Sequence, residues 1–119
     1  MADDFSGTDK ITLRPADVGV PYRFTFAACT TADANDGSIP YGDTIDSIAV
    51  TAHTSELSTD VSTEMVGTVT LAGDHLSVTV ELNYPDTTGI GTYHLKFVLT
   101  LASGAIIEYD FNRVKAVAQ

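Results

Sequence analysis

Apolar and polar residues alternate one for one through most of this chain. In Tyr22-Arg23-Phe24-Thr25-Phe26 the rings fall on every second position, with Arg23 and Thr25 between them. That period of two is what a half-buried strand requires, because successive side chains leave opposite faces of the backbone. The same beat predicts a first strand over residues 10–14, stopped by Pro15, and a second over 21–28. Residues 44–54 form a third, with Ile48, Val50 and Ala52 inward and Ser47, Ala49 and Thr51 outward. A fourth covers 64–71, pointing Met65, Val69 and Leu71 inward. Ala72-Gly73-Asp74 then turns the chain into a fifth, where Leu76, Val78, Val80 and Leu82 alternate with Ser77, Thr79 and Glu81.

The stretch TYHLKFVLTLASGAIIEYDF, residues 92–111, supplies the last two strands. Tyr93, Leu95, Phe97, Leu99 and Leu101 share one face, and His94, Lys96 and Thr100 the other. Beyond Ala102-Ser103-Gly104, Ile107, Tyr109 and Phe111 point inward while Glu108, Asp110 and Asn112 face water. The single helical stretch, near Leu57 to Met65, amounts to one turn. Seven short strands with turn residues every eight to twelve positions predict an all-β, immunoglobulin-like antiparallel sandwich. One domain spans residues 1–119, with 1–9 as an N-terminal arm. With no Trp and only Cys29, the Cys-Trp-Cys marker of antibody domains is absent. Tyr22, Phe24, Phe26, Val78, Val80, Leu95, Phe97, Tyr109 and Phe111 should meet in one core, and circular dichroism should show no dominant helix.

Charge narrows the partners. Six basic residues against 16 acidic ones leave a net charge of -10, which repels phosphate backbones, and no run of Lys and Arg offsets it. Nucleic acid is therefore not an expected partner. The N-terminus has neither the basic nor the apolar region of a signal peptide, and no apolar run reaches the roughly 18 residues that cross a bilayer. The expected protein is made in the cytoplasm and does not engage membranes.

Little chemistry is written in the sequence. Asp33-Ala34-Asn35-Asp36-Gly37 looks like a calcium loop, but the glycine comes one position early and the twelfth position is Thr44 rather than Glu. These are ordinary turn formers. His53, His75 and His94 sit on different strands or strand ends without the close spacing of zinc ligands. Asp43 and Asp46 flank the start of the third strand, where Asp more often caps a turn than acts as an acid/base pair. No nucleophile elbow and no phosphate-cradling glycine loop occurs. The expectation is no enzyme, no cofactor and no metal, with chelators leaving the melting temperature unchanged.

Three segments together carry a resemblance. Val20-Pro21-Tyr22-Arg23-Phe24-Thr25-Phe26 comes first, then Gly42-Asp43-Thr44-Ile45-Asp46-Ser47. The third runs from Thr92-Tyr93-His94-Leu95 through Leu101-Ala102-Ser103-Gly104 to Glu108-Tyr109-Asp110-Phe111. Their order resembles small phage virion proteins with an immunoglobulin-like fold, of the fibre-tail adaptor type. The chain departs from that pattern in lacking Trp on the second strand and near the third, and in its long 29–42 loop. The resemblance implies a non-enzymatic structural component of a bacteriophage virion, a tail-associated adaptor joining the tail to its fibres. Its partners would be other virion proteins (tail, fibre or capsid subunits) and further copies of itself. A capsid decoration protein is the alternative in the same class. A carbohydrate- or surface-binding module is the alternative in another, though most aromatics point inward, leaving Tyr41 and Tyr84 in loops.

Recognition on such a scaffold belongs to loops and termini. The expected regions are residues 1–9, the 29–42 loop and the 114–119 tail. Phe5, Ile39 and Tyr41 are the expected partner-binding anchors within or beside them, joined by Val98 on the outward face of its strand.

Overall fold

The computed structural model of the chain describes residues 3–5, 10–34, 36–54 and 59–118, the first three through their backbone. In chain order the elements are β1 (Asp3–Phe5), β2 (Ile11–Leu13), β3 (Val20–Thr25), β4 (Ile45–Thr54), α1 (Ser62–Met65), β5 (Val66–Leu71), β6 (Ser77–Leu82), β7 (Gly91–Leu101) and β8 (Ile106–Ala116). They form two four-stranded sheets, β1-β3-β6-β5 and β2-β8-β7-β4. The fold is an all-β sandwich.

Its core is aromatic at the centre. Phe24 of the first sheet meets Phe97 and Phe111 of the second at ring-centroid distances of 4.7 and 5.2 Å. Phe26 meets Phe97 at 5.6 Å and Tyr109 at 5.3 Å. Edge-to-face and tilted contacts at such distances add to the area these rings bury. Along β7 the alternation holds without a break, Tyr93, Leu95, Phe97, Leu99 and Leu101 all being buried. The predicted β5–β6 and β7–β8 hairpins form, each with one shift of register. The turn between β7 and β8 uses Gly104 at φ +95°, a conformation open to glycine at no steric cost.

Four features depart from the sequence-based expectation. First, the pairing is not antiparallel throughout: β1 runs parallel to β3 and β2 parallel to β8. Part of the supposed N-terminal arm is thus an edge strand. Second, the supposed fourth strand begins with α1, whose Met65 is fully buried, and extends only from Val66. The turn is fastened on both sides. Ser62 Oγ accepts from the Ala52 amide of β4, and the Glu64 carboxylate accepts from the Thr87 and Thr88 amides and the Thr88 hydroxyl. Third, the 114–119 tail is not free. Val114 and Ala116 belong to β8 and are buried against the β2 side.

The fourth departure is a bulge that enables the third. Tyr93 faces Val114 while Leu95 faces Phe111, so two residues of β8, Asn112 and Arg113, oppose the single His94 of β7. An inserted residue re-phases a strand. The inward set therefore changes from Ile107, Tyr109 and Phe111 to Val114 and Ala116, and Arg113 and Lys115 are turned outward. Without it, strict alternation would aim both cations at the core.

At the β6–β7 corner, the hydroxyl of Tyr93, near the start of β7, donates to the Gly89 carbonyl four residues upstream. Burial, with the charge of Glu64 next in order, pushes that phenol's pKa up. It stays a neutral donor at physiological pH.

Candidate binding surfaces

One end of the sandwich gathers carboxylates. There the 29–44 segment, the 72–76 turn and the 102–105 turn are tied together. Ile45 N–H donates to the His75 carbonyl, Ala102 N–H to the Thr44 carbonyl, and the Ser103 hydroxyl to Asp43 at 2.6 Å. Asp33, Asp36, Asp43 and Asp74 all stand at this end. The long loop here is packed rather than loose: Cys29 N–H donates to the Ile39 carbonyl, and the Ser38 and Ile39 amides both donate to the Ala27 carbonyl. This overturns the expectation for Ile39, which is 0% exposed and a member of the core. A branched apolar residue on a loop that folds back over an open sandwich end gains more from filling the core than from facing water. Tyr41, two residues on, is 59% exposed and remains available as an anchor.

Phe5 lies in β1 opposite Phe24; its side chain is outside the described residues. Val98 does point to the outer face of β7, but it is half-buried between its cross-strand partners Ala49 and Glu108. It offers little area to a partner. Of the proposed loop ligands, Asn35 lies outside the described residues, and Asp36 already holds the Thr30 amide and hydroxyl.

The outer face of β4, β7 and β8 is polar. His53 and His94 are cross-strand partners, a juxtaposition that the sequence spacing concealed. Thr51 Oγ1 lies 2.9 Å from His53, His94 pairs with Asp110 at 3.2 Å, and Lys96 with Glu108 at 3.7 Å. A shallow depression of about 310 Å³ opens among His53, Lys96, Glu108, Tyr109 and Asp110. Among the described residues no group of three or more His, Cys, Asp or Glu is arranged to hold a metal ion.

The second depression, about 440 Å³, carries the opposite sign. Lys10, Arg113 and Lys115 line it together with Ile11, Thr12, Thr92, Asn112, Val114 and Val117. Parallel pairing sets Thr12 beside Lys115, so Lys10 lies level with Arg113, and exposed Arg14 continues the line. Four of the protein's six cations thus follow one ladder. Among the described residues none of the three lining the depression is ion-paired. Nothing in the sequence shows this cluster as a run, since Lys10 and Arg113 stand a hundred positions apart. The legible hint was local. Asn112-Arg113 interrupts the alternation and shifts the apolar phase, which marks a bulge.

Among the described residues, five carboxylates are held below their ordinary pKa by hydrogen bonds to their charged form. The Thr30 hydroxyl does this for Asp36, the Ser103 hydroxyl for Asp43, Ser62 for Asp60, the Thr88 hydroxyl for Glu64 and the Leu76 amide for Asp74. A carboxylate with a folded pKa below its unfolded one adds stability above the unfolded value and loses it as pH falls through the folded value. Thermal melts should therefore be flat from about pH 7 to 5. They should fall below about pH 4, where the loop and turn contacts protonate.

A scan against protein-family models, a search of curated proteins and a search of solved structures each return no match.

Proposed function

We propose that the protein is a non-enzymatic, immunoglobulin-like assembly module of a phage particle, a tail-associated adaptor that joins tail to fibres. The observation that carries this reading is the corner at Tyr93. In immunoglobulin-like sandwiches a tyrosine near the start of the sixth strand bonds back to the backbone just upstream. Tyr93 makes that bond to Gly89, within the Thr92-Tyr93 segment on which the resemblance to fibre-tail adaptors rests. The sheet orders β1-β3-β6-β5 and β2-β8-β7-β4 support the same reading, with the parallel β1–β3 pair as a departure from it. The other resembling segments occupy β3, the entry to β4 and the β7–β8 hairpin.

Such a module works by presenting surface. This one presents an exposed Tyr41 on an acidic end, a cationic depression, and a bare flank of β8. That strand meets β2 only over Val114–Ala116, leaving Ile106–Phe111 without a described strand on that side. Unpaired strand flanks are templates for added strands.

The test is location. Antibody against the protein should label the tail region of intact particles in electron microscopy, and the chain should be found by mass spectrometry in purified particles. Label on the head would favour the decoration alternative; absence from particles would remove the virion reading altogether.

A further inference from the structure

We infer that copies of this chain join head to tail, the acidic, Tyr41-bearing end of one seating in the cationic β2–β8 depression of the next. The inference rests on the assembly reading above and names its contact.

Three observations point to a second copy as occupant. Among the described residues the depression gathers Lys10, Arg113 and Lys115 without an ion pair in a protein of net charge -10, and half-buried Val117 lines it beside them. A fitting ligand is therefore anionic, with an apolar group to set against Val117. The opposite end of the same chain is built that way: exposed Tyr41 stands on the loop that carries Asp33, Asp36 and Asp43. An aromatic ring flanked by carboxylates meets a cationic hollow through ion pairing and through the face of the ring.

Geometry makes the contact head to tail. The 102–105 turn, beside the acidic loop, leads into β8, and Lys115 stands near that strand's far end. At ~3.3 Å per residue that places the two surfaces about 30 Å apart. Two different patches so separated cannot satisfy each other within one copy. They join heterologously, closing into a ring or growing as a file according to the rotation per step.

Sedimentation at about 0.15 M salt, where exposed charges are screened beyond about 8 Å, tests this with two variants. One, Arg113→Glu with Lys115→Glu, inverts the hollow; the other, Tyr41→Ala with Asp33→Lys, removes the plug. All four positions are exposed, so both variants should melt with the wild type, which a thermal scan checks first. The wild-type average mass should rise with concentration beyond that of a dimer. Each variant alone should stay monomeric, with a Kd raised at least tenfold. An equal mixture of the two should form a 1:1 dimer and stop there, because only one intact plug meets one intact hollow. A wild type that remains monomeric to about 1 mM overturns the inference. Variants that associate like the wild type, or a mixture that stays monomeric, do so equally. A monomer still present in purified particles would sink this contact while leaving the adaptor reading standing.

Discussion

Replacing Phe97 by Ala should cost about 3–5 kcal/mol of stability, the range for removing a large aromatic from a packed interior. Phe97 is fully buried and touches rings from both sheets: Phe24 at 4.7 Å, Phe26 at 5.6 Å and Tyr109 at 6.1 Å. Strands on both sides pin its position, since Phe97 pairs with Val50 on β4 and with Tyr109 on β7's other flank. The void left by the ring therefore closes only partly, and the cavity adds to the lost transfer energy. In a sandwich of this size the melting temperature should fall by more than about 10 °C. Urea titration should show a lower midpoint with an unchanged slope. A loss below 1 kcal/mol would mean that the two sheets do not share this core.

Gly37→Ala should be the most damaging change of a single methyl group. A Cβ there would stand 2.5 Å from the Ala27 carbonyl oxygen and the Ala28 carbonyl carbon, and 2.7 Å from the Cys29 nitrogen. All three are backbone atoms, so no side-chain rotation relieves the clash. The loop must move instead. Moving it breaks the bonds from the Ser38 and Ile39 amides to Ala27 and from Cys29 to Ile39, and it draws Ile39 out of the core. Overpacking of this kind costs about 1–3 kcal/mol where neighbours can yield, and the loss here should reach the upper part of that range. Hydrogen exchange should show faster exchange at the Cys29, Ser38 and Ile39 amides ahead of global unfolding. Unchanged protection at those amides would mean that the loop tolerates the methyl group.

Period-two patterning by itself determined the central strands, the inward face of β7 and the two hairpins. Each strand's alternation is local chemistry, and burying one face of every strand leaves two stacked sheets as the economical arrangement. Tyr22, Phe24, Phe26, Leu95, Phe97 and Phe111 were legible as core for that reason, and Tyr41 as an exposed ring. What depends on partners distant in sequence was not legible. Parallel pairing of β1 and β2 places short edge strands beside residues about twenty and a hundred positions away, and no local pattern encodes that direction. Ile39 read as a loop anchor because its burial follows from the loop folding back onto Ala27 and Ala28. The cationic hollow needed two tertiary events at once, the β2–β8 pairing that sets Lys10 beside Arg113 and the bulge that turns Arg113 and Lys115 outward. Composition counts charges along the chain, but the electric field at a surface depends on where the sheet places them.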